Sequence, residues 1–476
     1  MLSRSVSHIL DSMGYSEWII QTRREAYNLF ENELNMNCEG INYVVSGSRR
    51  EGLCGLYEND IDILVYLPGI VAVHQRGAVN VPYDIDIEGN WEVETKLCSP
   101  GYCLLLLNGT PEELDELVRP CFCALESDKI CLSSERFLRM VHTHARGTSA
   151  DVIVRSLAGP SIPFNIEGLI DIDSVVSVTC HCPAQLDDWF KRPRRYDWPS
   201  PALLQDVVST PGNITAVGCK EDVFGKMEWR FCFNQAEIKL VESLNTTQNK
   251  IYVVLKMVLK DFLKPANKEV TSYTMKNIVF WLCESHPVSA FSPDMLLYWV
   301  GKALHVLKGS IHCGYLPYYM LPARNLHQGK FCEATKETMK NKLSSFLRAE
   351  PSSSIQLCKR VSFGISLLHE GTLEEWSWRY YLIDLASLPE SMRIGHVRSK
   401  LEILRLNGID DPILEVIGHN LVDVTNESID ENEQQEKMLL RWAGFVNIDN
   451  AEGLVHHIKY NCHDNGGLPI PRVVPL

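Results

Sequence analysis

The chain has 476 residues, of which 45% are hydrophobic and 22% are charged, a composition typical of a folded globular protein. This length is sufficient for two or three domains with sizeable cores. The formal net charge of −14 at pH 7 argues against a protein that is basic throughout and coats nucleic acid, but it leaves room for a local basic groove.

The cysteine pattern bears on compartment and on zinc. The 16 cysteines are scattered and residues 1–4 do not begin a secretory signal, so we expect reduced thiols and a cytoplasmic protein. Cys121-Phe122-Cys123 and Cys180-His181-Cys182 are tight pairs without a second pair at zinc-finger spacing, so no zinc is expected. No apolar run reaches the eighteen residues that a membrane-spanning helix needs, so no membrane partner is expected.

The first predicted elements are a helix, a strand, a tight turn and a second strand. An amphipathic helix is predicted from about Ser16 to Leu34, with an apolar face opposite arginine and glutamate side chains. A short strand from Ile41 to Val45 leads into the pair Gly47-Ser48. A strand from Asp60 to Leu67 is predicted by its alternation of apolar and polar residues.

The second strand carries a pair of carboxylates. Because side chains alternate along a strand, Asp60 and Asp62 project side by side from one face, within reach of one hard cation. Like charges this close need a metal, a basic partner or full solvation. Upstream, Gly47-Ser48 offers a bend with exposed amides and a hydroxyl, the components of a phosphate-binding turn. This layout is typical of a metal-dependent nucleotidyltransferase.

An Asp-x-Asp pair also occurs on ordinary solvated strands, and the chain contains its own control. Asp84-Ile85-Asp86 repeats the pattern, but it has no Gly-Ser turn at the matching distance and lies among Asn, Pro and Gly. We interpret this second copy as a loop. The turn at Gly47-Ser48 therefore distinguishes the first copy from the second.

The region from Pro68 to about Gly159 is looser, with two predicted strands and two predicted helices. These are the strands Tyr102 to Leu107 and Asp151 to Val154 and the helices Glu112 to Leu117 and Ser134 to His142. A further strand from Ile170 to Val178 carries Asp171 and Asp173 on one face. It can supply the third carboxylate that two metal sites require.

From Gln235 onward the pattern is helical. Amphipathic helices are predicted at Gln235–Leu244, Asn249–Leu263, Thr271–Glu284, Pro293–Leu307 and Cys332–Leu347. Pro265 ends the second of them. Ser352 to Ser354 indicates a linker, and a last helical block runs from about Ile394 to Cys462 with an acidic stretch at Glu427 to Glu436.

Two basic clusters stand out against the acidic background. The first lines one helix face because its lysines are four residues apart, and the second is flanked by Trp189 and Trp198. They consist of Lys256, Lys260 and Lys264, and of Lys191, Arg192, Arg194 and Arg195. A charged face is commonly only solvated, and the functional alternative is contact with the phosphates of a nucleotide or nucleic acid.

Several separated motifs together resemble one family. They are Gly47-Ser48 with Asp60 and Asp62, Pro100-Gly101-Tyr102, Leu132-Ser133-Ser134, Gly159-Pro160, Trp189 with Arg192, Arg195 and Trp198-Pro199, Glu228-Trp229-Arg230-Phe231, Gln248 with Leu255-Lys256, Ser272-Tyr273 with Lys276, and Asn325-Leu326. In their order and spacing they are similar to the cyclic GMP-AMP synthase-like receptors, within the Mab-21 class of nucleotidyltransferases. The resemblance covers roughly residues 16–349.

The resemblance implies an α+β fold in two lobes. An N-terminal lobe with a mixed twisted sheet and a long spine helix is expected over residues 1–234, and a helical lobe over 235–350. Residues 351–476 are expected to form a C-terminal helical extension. The implied function is a cytoplasmic enzyme of innate immune signalling that senses double-stranded nucleic acid and joins two nucleoside triphosphates, ATP and GTP, into a cyclic dinucleotide.

The resemblance also implies roles for individual residues. Asp60, Asp62 and Asp173 would hold two Mg²⁺ or Mn²⁺ ions, which activate the attacking hydroxyl and stabilise the leaving pyrophosphate. The nucleotide-binding set would be Gly47 and Ser48 for the triphosphate, Arg230 and Glu237 for bases, Lys256 and Ser272 for phosphate, and Tyr273 for stacking on a base. Lys191, Arg192, Arg194, Arg195, Lys260 and Lys264 would bind nucleic acid.

At two points the sequence departs from the family pattern, so the family's base selectivity and its activating ligand do not carry over directly. Cys232 and Asn234 stand where the vertebrate enzyme has serines, so base selectivity does not carry over. The vertebrate zinc insertion is absent, which favours RNA over DNA as activator. Asp171 remains an alternative to Asp173, because both lie on one strand face.

Plainer interpretations stay open for several positions. Tyr273 is equally compatible with a half-buried aromatic in a helical core, and Arg230 with a surface ion pair to Glu228 or Glu237. The block from Met392 to Cys462 is faintly similar to a death-fold bundle, but the pattern favours an ordinary helical appendage through which a signalling partner binds.

Two rival functions compete with the cyclic dinucleotide synthase. The first is a non-catalytic Mab-21-like interaction or nucleotide-binding protein, against which three converging carboxylates count. The second is a template-independent RNA polymerase, against which the acidic charge and the missing RNA-binding module count. The sequence identifies neither the nucleotide pair and its linkage nor the activating ligand.

Overall fold

The computed structural model describes residues 2–37, 42–54, 60–73, 91–107, 116, 118–125, 129–146, 152–166, 170–264 and 269–370. Helix α1 (Leu2–Leu10) passes through a π-helical turn (Asp11–Tyr15) into the long helix α2 (Glu17–Asn37). Gly14 lies in that turn with φ of 88°, a conformation that glycine adopts without strain. The chain direction therefore changes between α1 and α2.

A mixed sheet follows α2 and contains all the strands of the described residues. They are β1 (Asn42–Ser46), β2 (Asp60–Val73), β3 (Trp91–Glu94), β4 (Tyr102–Leu107), β5 (Phe122–Ala124), β6 (Ile130–Leu132), β7 (Val152–Val154), β8 (Ser161–Ile166), β9 (Ile170–His181), β10 (Gly212–Thr215) and β11 (Trp229–Cys232). The order is β1-β2-β3-β4-β11-β10-β9-β8-β7, and β2 also pairs directly with β9. This additional pairing curls the sheet back on itself.

The two faces of the sheet differ in character. Directly paired residues on neighbouring strands point to the same side, so a register defines a face. One face carries Val176, Val178, Ile214, Trp229 and Phe231, each at most 5% exposed, and belongs to the main hydrophobic core. We call the opposite face the site face.

Helices occupy the links between strands and the rest of the described chain. Those between strands are α3 (Gly47–Arg50), α4 (Ser134–Ala145), α5 (Asp187–Lys191) and α6 (Pro201–Ser209). Those after β11 are α7 (Asn234–Glu242), α8 (Thr246–Val258), α9 (Ser272–Ser285), α10 (Leu296–Cys313), α11 (Glu333–Arg348), α12 (Pro351–Ile355) and α13 (Lys359–Glu370).

The helix ends follow from local chemistry. A capping box between Asn245 and Gln248 starts α8, and a second between Thr271 and Thr274 starts α9. Gly314, with φ of 65°, ends α10 in the left-handed conformation. α8, α9 and α10 pack on one another, and α11 packs on α10, so the helices share the core of the sheet.

The predicted α+β class is confirmed, and the element boundaries need modest correction. The predicted helix 16–34 extends to 37 and has α1 before it, and the predicted strand 60–67 extends to 73. The predicted Gly47-Ser48 bend begins the one-turn helix α3, and the end of the predicted helix 249–263 is the π-helical turn Leu259–Leu263. Residues 84–86, 265 and 394–462 lie outside the described residues, as does 112–117 except for Glu116.

The predicted linker at Ser352 to Ser354 is wrong, because these residues lie in α12. Ile355, Cys358 and Val361 are at most 2% exposed, and α13 packs against α1. A domain boundary after residue 350 would therefore cut through a packed unit.

Among the described helices, none combines the length and the apolar composition that crossing a lipid bilayer requires.

Candidate functional site

The carboxylate strands β2 and β9 lie side by side. They run parallel, with Asp62 and Asp173 as direct Cα partners and Asp60 and Asp171 as partners one pleat earlier. The side chains of Asp62 and Asp173 are both half-buried, and the shared register puts them on the site face. Ser161 on β8 donates its hydroxyl to Asp173 Oδ1 at 3.0 Å. Two carboxylates from different strands therefore converge at one place.

Gly47 lies directly against this carboxylate pair. Its φ is 71°, and a Cβ at this position would lie 1.8 Å from Asp62 Oδ2. Only glycine is compatible with this approach. The first residue of the predicted phosphate turn and the second carboxylate of β2 are thus in immediate contact, and Ser48 follows as a half-exposed residue of α3.

Cations on two helices hold the segment that follows the turn. From α2, Arg23 Nη1 donates to the carbonyl of Gly52 at 3.2 Å, and Arg24 Nε donates to the carbonyl of Glu51 at 3.0 Å. From α8, Lys256 Nζ donates to the carbonyl of Leu53 at 3.2 Å. Because donors that carry charge form the stronger hydrogen bonds, these contacts fix the turn against both helices.

A buried ion network joins the turn to α9. Lys276 Nζ pairs with Glu51 and lies 3.6 Å from Glu237 Oε2, and all three residues are at most 8% exposed. Burial opposes the charged form of Lys276, but the carboxylates of Glu51 and Glu237 hold its pKa well above the ordinary value. Lys276 therefore remains an ammonium and links the turn to the helical region.

Glu237 holds tyrosines as well as a lysine. Its Oε1 accepts hydrogen bonds from the hydroxyls of Tyr273 at 2.7 Å and Tyr318 at 2.8 Å. Glu237 therefore positions aromatic rings in this structure, and its contact with a base stays a prediction. Tyr273 itself is half-buried, with its ring centroid 5.9 Å from that of Tyr318, and Ser272 is exposed at the first position of α9.

Arg230 lies on the site face, across the sheet from the carboxylates. Residues Tyr66, Ser177, Thr215, Arg230 and Tyr102 are successive direct partners on β2, β9, β10, β11 and β4. Arg230 is half-buried, and its Nε is buried without a hydrogen-bond partner. The alternative of a surface ion pair is not observed, because Glu228, which directly precedes β11, is fully buried and accepts the amide of Cys219 at 2.8 Å.

The second basic cluster, residues 191–195, has two largely buried members and two exposed members in the structure. Glu284 Oε2 accepts from Arg192 Nη2 at 2.7 Å and from Arg194 Nε at 3.1 Å, and all three side chains are at most 16% exposed. Arg192 also lies over the ring of Trp281 at 4.4 Å. These two arginines are turned inward, so we remove them from the predicted nucleic-acid contacts.

The remaining predicted nucleic-acid contacts are at the surface. Lys191 is exposed and pairs with Asp187 one helical turn away at 2.7 Å, and Arg195 is exposed with its guanidinium 5.5 Å from the ring of Tyr196. Lys260 and Lys264 are exposed at the end of α8 and its π-helical turn. Lys256, on the same helix, is half-buried and points to the carbonyl of Leu53.

The carboxylates present fit a divalent metal. Asp62 and Asp173 are half-buried oxygen donors on the same face, and the absent Cβ of Gly47 leaves space beside them. No group of three or more His, Cys, Asp or Glu side chains suitable for a metal occurs within the described residues. The cysteines of the described chain are free thiols.

One part of the chain matches a known family model. Residues 247–345, which span α8 to α11, match the Mab-21 protein HhH/H2TH-like domain. Helices α8 to α11 therefore form a Mab-21 domain. Mab-21 proteins are of the nucleotidyltransferase kind, so the family predicted from the sequence is confirmed. The match lies in the helices, whereas the paired carboxylates lie on the sheet outside it.

Sequence reasoning missed the residues that position the site. Arg23, Arg24 and Glu51 received no role, although Glu51 lies within the recognised turn, and Lys276 was noted only as part of a motif. Their partners lie between 27 and 225 residues away, and no local pattern indicates such pairings.

Proposed function

We propose that this Mab-21 protein is a nucleotidyltransferase that joins two nucleoside triphosphates, ATP and GTP, into a cyclic dinucleotide. The observation that carries the proposal is the pairing of Asp62 with Asp173 on neighbouring parallel strands, with Gly47 against the Asp62 carboxylate. In this proposal the sheet and the helices form two lobes, with α2 as the spine helix and the nucleotides between the lobes.

Asp60, Asp62 and Asp173 are the residues that would hold two Mg²⁺ or Mn²⁺ ions. When bound, such ions supply charge that activates a sugar hydroxyl and stabilises a leaving pyrophosphate. Asp171 stays an alternative to Asp173, since it is the direct partner of Asp60 in the parallel pairing. Ser161, which donates to Asp173, orients the favoured carboxylate.

The other residues of the site bind and orient the nucleotides. The backbone of Gly47 and Ser48 receives the triphosphate, and the cations on α2, α8 and α9 keep that backbone in place. Tyr273 offers a ring face for stacking on a base, and its hydroxyl bond to Glu237 fixes the ring. Because phosphoryl transfer needs mostly position and charge from the protein, a rigid turn next to converging carboxylates suits it.

Double-stranded nucleic acid, with RNA favoured over DNA, is the proposed activator in cytoplasmic innate immune signalling. The exposed lysines 260 and 264 would contact its phosphates, together with Lys191 and Arg195. The C-terminal helical block predicted from about Ile394 to Cys462 would bind a signalling partner. No zinc and no membrane contact enter the proposal.

The decisive experiment measures product formation by the full chain. Purified protein is incubated with all four labelled nucleoside triphosphates and Mg²⁺ or Mn²⁺, with and without double-stranded RNA or DNA, and phosphatase-resistant products are analysed. The proposal predicts a cyclic dinucleotide, and Asp62→Asn should reduce its formation by about 100-fold or more because a metal-binding charge is lost at constant volume.

Asp206→Asn is the matched control, because Asp206 is an exposed acid that pairs with Lys239 away from β2. It should keep full activity, and thermal melting should show that both variants are folded. Absence of any product from the wild type under all these conditions would favour the non-catalytic alternative. Full activity in folded Asp62→Asn would remove the metal assignment.

A further inference from the structure

A second cationic group lies at the end of the site face away from the carboxylates. Arg230 on β11 is the direct partner of Tyr102 on β4. The guanidinium carbon of Arg324, from the segment after α10, lies 5.7 Å from the ring centroid of the same Tyr102 and 5.3 Å from that of Tyr318. Two arginines from distant parts of the chain therefore flank one tyrosine.

The arrangement of Arg324 depends on a glycine. Gly101 has φ of 86°, and a Cβ there would lie 2.6 Å from Arg324 Cδ. The backbone before Tyr102 thus provides a surface on which the stem of Arg324 lies, and the residue is only 9% exposed. Its guanidinium is held by ring faces and stem packing, and within the described residues no carboxylate lies at ion-pair distance from it.

Lys330 adds a third cation to the group. Burial lowers its pKa, and the charges of Arg324, Arg230 and Lys220 lower it further against the opposing carboxylate of Glu269. The half-buried Lys330 has no ion pair within the described chain, and the buried Nε of Arg230 has no hydrogen-bond partner.

The carboxylates nearby neutralise this group only in part, since Glu269 raises the pKa of Lys330 against the effect of burial. Glu269 is exposed, and Glu221 is exposed with its carboxylate against Gly329. Glu237 already accepts from two tyrosines and faces Lys276. Three partly buried cations that form no ion pair within the described residues, in a protein of net charge −14, are the electrostatic signature of a site for an anionic ligand.

We propose that Arg324 and Lys330, together with Arg230, which the resemblance assigns instead to a base, form a second phosphate subsite. This subsite takes the 5′-polyphosphate of the nucleotide that supplies the attacking hydroxyl. This inference rests on the proposed function. Arg230 and Asp62 are separated by three strand spacings across the sheet and four residues along it, roughly 20 Å on a flat sheet and less on a curled one. The attacking hydroxyl belongs beside the carboxylates, so the 5′-phosphates on the same nucleotide extend away from them.

The subsite has a consequence for the order of steps. In the first transfer the attacking nucleotide brings a triphosphate, which the subsite holds. Before ring closure the linear dinucleotide is turned over, and this same triphosphate moves to the turn at Gly47. Loss of the subsite should therefore weaken the first transfer and spare the second.

The test compares Arg324→Gln and Lys330→Gln with the wild type in two assays of the full chain. In the first, the Michaelis constant for the attacking nucleoside triphosphate should rise at least about tenfold, because each charge-assisted contact to phosphate is lost. In the second, ring closure of the supplied linear 5′-triphosphate dinucleotide should keep its rate. Lys336→Gln removes a cation already paired with Glu333 and should change neither.

A third assay distinguishes a contact of Arg324 with phosphate from a contact with the base. With a nucleoside monophosphate as attacking substrate, the difference between Arg324→Gln and the wild type should shrink to less than about threefold. An equal loss with mono- and triphosphate would show that the arginine contacts the base, which overturns the proposal. Unchanged constants in both folded variants would overturn it as well.

Direct binding distinguishes failure of this subsite from failure of the proposed function. Calorimetry with tripolyphosphate in EDTA should detect binding to the wild type and a loss of about tenfold in affinity in each variant, even if no nucleotide product is ever found. Binding to the wild type that neither variant weakens would overturn the subsite while leaving the catalytic proposal intact.

Discussion

The two basic clusters are alike in sequence and opposite in structure. Residues 191–195 and 256–264 each place several cations within a short stretch of the chain. In the first, Arg192 and Arg194 turn inward to a shared oxygen of Glu284, which also accepts the hydroxyl of Tyr319 at 2.7 Å. In the second, Lys260 and Lys264 remain at the surface.

The difference lies in what the rest of the chain places opposite each cluster. Glu284 and the rings of Trp281 and Trp189 provide a counter-ion and aromatic faces for the arginines. Guanidinium groups tolerate such burial because they are planar and weakly hydrated, whereas ammonium groups are strongly hydrated. A run of basic residues therefore predicts a phosphate-binding surface only when no buried acid from another part of the chain forms ion pairs with them.

The largest expected effect tests the inward cluster. Glu284→Gln leaves two largely buried guanidinium groups without their anion, and breaking such a pair costs about 3–5 kcal/mol. Urea denaturation should show this loss in the free energy of unfolding. Asp187→Asn removes the partner of Lys191 in the same cluster, where both side chains are more than half exposed, and should cost at most about 0.5 kcal/mol. Similar costs for the two variants would contradict the distinction.

A smaller effect concerns a neutral imidazole that is buried with no acidic partner among the described residues. His327 is 3% exposed, its Nδ1 has no partner, and its Nε2 lies 3.1 Å from the hydroxyl of Ser310. Burial, aided by the charge of Lys330, lowers the pKa of His327 to about 4. The unfolded chain therefore binds the proton first as the pH falls below 6.5, and stability should decline until about pH 4.

This decline should amount to about 3 kcal/mol between pH 6.5 and 4 relative to His327→Gln, which cannot take up the proton. The measurement is the free energy of unfolding of both proteins across that range. His305→Gln, at an exposed position on α10, is the control and should follow the wild type. A wild-type curve parallel to that of His327→Gln would refute the assignment.

The smallest effect on stability belongs to the outward lysines. Lys260→Glu combined with Lys264→Glu should change the free energy of unfolding by less than about 0.5 kcal/mol, as surface substitutions usually do. It should nonetheless weaken binding of double-stranded RNA and flatten the dependence of binding on salt, because phosphate contacts are lost. Filter binding at several salt concentrations measures both. The same change at Lys336 and Lys340, which pair with acids on α11, should weaken binding less.

Elements with strong local signals were predictable. Tyr102–Leu107 matches its predicted bounds, and the predicted helix from Ser134 differs from α4 by one turn. Alternation along β2 predicted which face Asp62 occupies, because a strand's period leaves no other choice. The extension of β2 beyond Leu67 was not predictable, because Pro68 and Gly69 interrupt the alternation of apolar and polar residues. The strand continues past them because it pairs with β9.

The candidate site was predictable where residues act through the backbone and unpredictable where they act through distant partners. Gly47 was identified because a glycine before a hydroxyl is a local signal. Lys276, Arg24 and Arg324 gain their positions from contacts across the fold, and their own neighbourhoods in sequence are ordinary. Arg192 and Arg194 were misassigned for the same reason, since their acid lies about ninety residues away.

The packing of α13 on α1 also implies a delay during synthesis, because α1 leaves the ribosome long before the helix that packs on it. A Cβ on Gly364 would lie 2.3 Å from Ile9, so the two helices touch closely although they are roughly 350 residues apart in the chain. At about 5–20 residues per second, the ribosome emits α1 some 20–70 s before α13 can cover it. During that interval the part of α1 that α13 covers, around Ile9, lacks this cover in the nascent chain. A chaperone acting during translation would find its binding site there.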